Sequence, residues 1–178
     1  MKFKEEEFKV TKMLIIKNMS KTYNVEKLTE NDIETIYRLF QGNKLYYRYC
    51  QAEISREQIL SDLYLRHEGV NEDDKYYLGF FKDELLVAVL DILDGYPDEE
   101  TCFIGFFMVN ILYQGKGIGS EIIGSVLDYV KKIGKIKVRL GIDKGNPQSK
   151  AFWKKNGFKL IKEVEKSGGI ILLAEKIL

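Results

Sequence analysis

The chain has 178 residues, 45% of them hydrophobic and only two of them proline, as expected of one compact domain with a substantial core rather than a disordered segment. Its 28 basic and 27 acidic residues leave a formal charge of +1, so no global field points to nucleic acid or to a membrane surface. Cys50 and Cys102 are too few for a disulfide framework and no Cys/His cluster has zinc spacing, so no metal is expected; without an apolar leader or a span of about 18 apolar residues, a cytoplasmic location is expected.

Residues 1–20 read as an N-terminal extension, of which the first twelve or so are charged and aperiodic and fit a loose tail or an added edge strand. Tyr23 to Leu28 reads as a short strand, and Thr29 with Asp32 as the capping box of a helix with Ile33, Ile36, Tyr37 and Phe40 on one face, stopped by Gly42. Ser55-Arg56-Glu57-Gln58 is a second capping box, for a helix with Ile59, Leu60 and Leu63 inward and Gly69 beyond it. Between the two helices, the aromatic segment Tyr46-Tyr47-Arg48-Tyr49-Cys50 belongs clearly to neither.

Three strand-like runs follow: Tyr76 to Phe81, Leu85 to Leu93 and Cys102 to Val109. The link Lys82-Asp83-Glu84 makes the first pair a hairpin, and Asp94-Gly95-Tyr96-Pro97-Asp98 turns the chain again. An amphipathic run from Ile118 to Ile133 predicts a helix ended by Gly134. Ile136 to Leu140 reads as a strand, and Asn146-Pro147 as the start of a helix with asparagine at the N-cap and proline behind it. After Asn156-Gly157, the strands Phe158 to Val164 and Gly169 to Ala174 close the chain. This order predicts an α/β (α+β layered) domain: a mixed, largely antiparallel sheet with helices on both faces, over residues 21–178.

The stretch Gln114-Gly115-Lys116-Gly117-Ile118-Gly119-Ser120 lies between a strand and a helix. Free backbone N–H groups at the helix start, with the positive end of the helix dipole, make a site for an anion such as a pyrophosphate. A P-loop is excluded because Lys116 is followed by Gly117 rather than Ser or Thr. A dinucleotide-binding turn is disfavoured because the spacing is GxGxG, and because Arg139-Leu140-Gly141 ends the next strand without an acid.

What remains, Q-x-x-G-x-G from Gln114 to Gly119, resembles the acetyl-CoA pyrophosphate loop of the GNAT N-acetyltransferases. Asn146 to Phe158, with its aromatic pair Phe152-Trp153 and closing Gly157-Phe158, is similar to the family's second signature, one helix and one strand downstream. The resemblance covers roughly Tyr23 to Leu178 and implies a sheet splayed at its centre. It implies acetyl-CoA as acyl donor, with the backbone of Phe107, Met108 and Val109 along the pantetheine arm and a tetrahedral intermediate stabilised by N–H groups of that strand. Backbone N–H groups from Gln114, Gly115, Lys116, Gly117, Ile118, Gly119 and Ser120 would take the pyrophosphate, Lys116 adding charge and Asn146 a bond to the pantetheine arm. The implied partner is a small-molecule or peptide amine, and family members are often homodimers.

Trp153 departs from the pattern, because many relatives have a tyrosine there whose hydroxyl can protonate the departing thiolate. An indole N–H donates a hydrogen bond but gives up no proton at neutral pH. Either another group is the acid or the thiolate, from a thiol of pKa about 8.5, leaves unaided. That departure keeps open a non-catalytic acyl-CoA-binding sensor. On the acceptor side, Asp91 interrupts an apolar run and is the candidate base, with Tyr96 in the adjoining turn as a second catalytic candidate and a structural role for Asp91 at a bulge as the alternative. Tyr46, Tyr47 and Tyr49 are placed by the resemblance near the acceptor groove, with plain aromatic packing as the alternative, while His67 reads as surface and both cysteines as core.

Overall fold

The apolar runs become seven strands of one sheet in a computed structural model that describes residues 16–17, 19–50, 52–166 and 168–178. The strands are β1 (Asn24–Lys27), β2 (Lys75–Lys82), β3 (Leu85–Asp94), β4 (Thr101–Val109), β5 (Lys137–Asp143), β6 (Lys159–Lys166) and β7 (Gly169–Ile177). Their spatial order is β1-β2-β3-β4-β5-β7-β6, antiparallel except where β4 meets β5. The edge strand or tail expected before residue 13 lies outside the described residues. Within the expected extension, Ile16 and Met19 are buried in the main core.

Helices cover the two faces. On one face lie α1 (Ile33–Gly42), the short α2 (Lys44–Cys50) and α3 (Arg56–Tyr64), and on the other α4 (Ile118–Lys132) and α5 (Pro147–Lys155). The Thr29 capping box forms as read, Asp32 Oδ2 accepting the Thr29 N–H at 2.8 Å. Ser55 caps Gln58 N–H at 3.0 Å, but the Gln58 amide turns to Asp62 instead of closing its box. Ile36, Leu39, Phe40, Ile59 and Leu63 pack on Leu86, Val89 and Met108. Leu60, expected inward, is 38% exposed, because it sits a third of a turn off the stripe through Ile59 and Leu63.

Two local expectations are corrected. Gly42 does not stop α1; it is the last helical residue, and Asn43 takes the cap. Tyr46 to Cys50 forms a helix of its own, α2, separated from α1 by Asn43 alone. A third correction concerns β5, which runs past Gly141 to end on Asp143 because its pairing with β7 continues to Ile171. The strand therefore does end on an acid, and only the GxGxG spacing still argues against a dinucleotide turn.

α4 begins at Gly117, which has no side chain to cap it. Burial compensates: Ile122, Ile123, Val126 and Val130 are at most 1% exposed. At roughly 1.5–3 kcal/mol for each buried aliphatic side chain, this docking outweighs the ~1 kcal/mol of a missing cap.

The centre of the sheet forks. β5 pairs with β4 only from Thr101 to Ile104, opposite Lys137 to Leu140, after which β4 follows β3 and β5 follows β7. A bulge sits at the parting point, where the β3–β4 register skips Gly105 between Asp91↔Phe106 and Ile92↔Ile104. A Cβ on Gly105 would lie 2.6 Å from Asp91 Oδ2, so the bulge depends on glycine for room.

Gly105→Ala is therefore expected to lower stability by about 1–3 kcal/mol through overpacking. Gly124 lies inside α4 with nothing within 4 Å of its Cβ position, so Gly124→Ala should raise stability by about 0.5–1 kcal/mol. Denaturant unfolding of the two variants beside the parent checks both signs.

Candidate active site

One cleft of about 510 Å³ runs along the C-terminal half of β4, between the turn that opens α4 and the wall made by α1, α2 and α5. Its volume is that of a site for a sizeable small molecule. The strand contributes backbone as well as side chains. Asn110 N–H donates to Val87 O at 2.8 Å, so by antiparallel alternation Met108 also faces β3. Phe107 and Val109 consequently turn their N–H and C=O groups toward the fork.

At the turn, Gly115 and Gly117 have φ of +72° and +82°, a region that side chains disfavour. No Cβ at either would touch protein within 4 Å, so the space beside both is open to a ligand. Gly119 serves differently: its Cβ position lies 3.1 Å from Phe152 and 3.3 Å from Val109, which lets α4 close against β4 and α5. The first bond of the helix runs from Glu121 N–H to Gly117 O, which leaves the N–H groups of Ile118, Gly119 and Ser120 without an intrahelical acceptor.

A buried amide network fixes the far wall. Asn43, 5% exposed, donates through Nδ2 to Leu39 O at 2.9 Å and Val109 O at 3.3 Å. Its Oδ1 accepts from Gln114 Nε2 at 2.6 Å, and that Nε2 also donates to Val109 O at 2.8 Å. Both lone pairs of the Val109 carbonyl are thus used, which leaves Val109 N–H and both polar groups of Phe107 to face the cleft.

Of the residues singled out in the sequence, Phe107, Met108, Val109, Gln114, Gly115, Gly117, Gly119, Ser120, Asn146 and Trp153 line this cleft together. Lys116 and Ile118 lie outside it. Lys116 Nζ donates to Leu112 O at 2.9 Å, and Ile118 packs on the core. Asn146 is 3% exposed and caps α5, its Oδ1 accepting Ser149 N–H at 2.9 Å. Trp153, buried, packs edge-on to Phe152 and Phe158 and 6.0 Å from Phe107. Sequence reasoning does not mark the wall residues Asn43, Lys44 and Leu45, or Phe152 and Lys155 of α5, as parts of the cleft; of the three tyrosines placed near the acceptor groove, Tyr46 lines the cleft and Tyr47 and Tyr49 do not. An asparagine directly after a glycine at a helix end is the available signal for Asn43.

Asp91 lies at the fork but outside the cleft lining. Its Oδ1 is 2.8 Å from Lys75 Nζ, the two side chains being 15% and 4% exposed. Burial raises its carboxyl to about 6, against the pull of Lys75 and with Asp62 adding a like charge. Asp62 is itself pushed up by burial. The structure does not bring Tyr96 to the cleft. Its ring stacks on His67 at 4.4 Å and meets Phe103 edge-on, near the start of β4. His67, read as surface, is half-buried in that stack, and burial lowers its pKa. In the adjoining turn, Asp94 pairs with Lys135 at 2.5 Å and Asp98 with Lys137 at 3.3 Å.

A family model described as acetyltransferase (GNAT) family matches residues 33–158. No curated protein matches the chain. Among solved structures, an acetyltransferase from Thermus thermophilus superposes with a TM-score of 0.73 at 21% identity, covering 88% of this chain and 97% of that one. The PaiA N-acetyltransferase from Thermoplasma acidophilum, in complex with coenzyme A, gives 0.65 at 21% identity, covering 88% and 99%. The ribosomal-protein-S18-alanine N-acetyltransferase from Escherichia coli gives 0.63 at 14%, covering 87% and 93%. At these identities the likeness is one of fold.

The Asp91 environment has a pH signature. The folded chain holds this proton up to about 6 and the unfolded chain only to about 3.8, so between those values the folded state binds more protons. The contribution of Asp91 to stability is therefore greatest at low pH and declines as pH rises, by about 3 kcal/mol at most. Denaturant unfolding of the parent and Asp91→Asn at a series of pH values should show the parent losing ground to the variant across that window. A difference that is flat or grows with pH would contradict the raised carboxyl.

Proposed function

The chain belongs to the acetyltransferase (GNAT) family, and on that footing we propose that it moves the acetyl group of acetyl-CoA onto a primary amine by direct attack. The observation that carries this reading is the continuity of the cleft from the glycine turn along β4 to Phe107. In this reading the N–H groups of Gly117 to Ser120 hold the pyrophosphate, and Lys116 swings from Leu112 O to add charge. Phe107 and Val109 N–H, with Phe107 C=O, flank the pantetheine arm. Asn146 joins them through Nδ2, its Oδ1 being occupied by the cap. The acceptor is a small-molecule or peptide amine.

Asp91 is our proposed proton acceptor. With a pKa of about 6 it is mostly ionised at neutral pH, and its Oδ2 lies over the exposed Gly105 at the fork. From there it can take the proton of the attacking ammonium through a water. A second reading, a non-catalytic acyl-CoA sensor, is favoured by one observation: Trp153, whose indole gives up no proton, stands at the position where the family resemblance leads one to expect a tyrosine.

Calorimetry with acetyl-CoA, beside a CoA-release assay over a broad panel of amines, tests the proposal. Binding with turnover of at least one amine is expected; binding with no turnover on any amine would favour the sensor, and no binding would sink both. Gly117→Val should lose at least tenfold in acetyl-CoA affinity, since the side chain both fills the open space and forces φ of +82° on a β-branched residue. Asp91→Asn should lower kcat by about 10²-fold with acetyl-CoA affinity nearly unchanged. Its thermal midpoint must be read on the same preparation, because the variant leaves Lys75 without its counter-charge.

A further inference from the structure

Acyl transfer from a thioester leaves a thiolate in the cleft, and some group must carry that charge. Asn43 and Gln114 spend their amide donors on Leu39 O, Val109 O and Asn43 Oδ1, so the remaining cleft-lining side chains able to donate a hydrogen bond are Tyr46, Ser120, Ser149, Trp153, the amides of Asn146 and Gln148 at the start of α5, and the exposed Lys44 and Lys155. Ser120 sits in the first turn of α4, beside the glycines, and Ser149 in the first turn of α5. α2 starts directly after Asn43, which is tied to Val109 O, and three residues on, the Tyr46 ring meets Phe106 edge-on at 5.7 Å. Phe106 immediately precedes the Phe107 backbone that faces the fork.

We propose that the Tyr46 hydroxyl donates the hydrogen bond that carries the leaving thiolate. The inference rests on the acyl-CoA reading of the cleft and adds to it the group that Trp153 cannot replace. The Tyr46 hydroxyl already meets a sulfur, that of Cys50 one helical turn on, and it feels the charge of Asp143 at the end of β5. Tyr46 lines the same cleft as Phe107. A thiol is a weak acceptor, so its bond to the hydroxyl is readily exchanged for one to a thiolate.

The step balances. The amine nitrogen forms a bond to the carbonyl carbon, and the C–S bond breaks with its electron pair going to sulfur. The sulfur accepts the Tyr46 O–H, and the proton lost by nitrogen ends on sulfur as the CoA thiol. Burial pushes the Tyr46 hydroxyl well above the usual tyrosine range, so the phenol stays protonated throughout and acts as donor rather than proton source. The titratable groups that face it are Tyr47 and Cys50 on α2, Tyr77 on β2 and Asp143 on β5.

Coenzyme A itself is the probe, and no acceptor is needed. The thiol of bound coenzyme A is titrated by its thiolate ultraviolet absorbance, after subtraction of the protein alone, in the parent and in Tyr46→Phe. Both proteins carry Cys50→Ala so that the neighbouring thiol does not titrate. The parent should hold the bound thiol about 1 pH unit or more below its value in Tyr46→Phe. Coenzyme A affinity well below the thiol pKa should be equal within about twofold, since the variant keeps the ring against Phe106. Equal thiol titrations would overturn the assignment while leaving the acyl-CoA reading intact. Loss of binding in Tyr46→Phe at low pH would make Tyr46 a packing residue and also overturn it. Failure of the parent to bind coenzyme A would remove the acyl-CoA reading and this inference with it.

Discussion

Everything at the centre of this molecule depends on a place where two strands stop sharing hydrogen bonds. Backbone N–H and C=O groups inside a sheet are nearly always paired, because an unpaired buried group costs about as much as a lost hydrogen bond. Beyond Ile104, β4 keeps β3 as partner on one side and opens on the other. The N–H and C=O of Phe107 and the N–H of Val109 thereby become polar surface at the floor of a cleft. Glycine makes the parting sterically feasible at Gly105, where Asp91 occupies the room a Cβ would need, and Gly141 stands next along β5.

Two polar networks flank that floor and divide the work. On the donor side, Asn43 and Gln114 are neutral amides whose hydrogen bonds hold the Val109 carbonyl, so the wall is stiff without a net charge. On the other side, Lys75 and Asp91 form a charged pair in a low-dielectric setting, with Asp62 near enough to matter. Replacing such a pair by apolar residues is often neutral or stabilising, so its presence is weak support for a purely structural role.

The fold was legible in the sequence wherever periodicity and capping agreed. The Thr29 box, the Asn146-Pro147 start and the hairpin through Lys82 to Glu84 all form where the local chemistry put them. The misses have physical causes. Gly42 read as a stop because glycine usually ends helices, but here Asn43 ends α1 with a side chain that also reaches β4, a contact 66 residues away that no local window contains. The extent of β5 depended on β7, whose pairing carries it to Asp143. In the cleft, the positions of the glycine turn and of the β4 backbone could be read because they follow from local sequence. Asn43 in the α1–α2 wall could not, since its place there comes from Val109, far along the chain.

The start of α4 carries one more implication. A helix of 15 residues that opens on a glycine in the left-handed region has no side chain to satisfy its first amides. An anion seated there would act as the cap that the sequence omits, and would bind the native chain but not the unfolded one. Stability would then rise with the logarithm of ligand concentration, by about 2.7 kcal/mol at a hundredfold excess over Kd. In a cell, the lifetime of the protein against proteolysis would follow the supply of its own ligand.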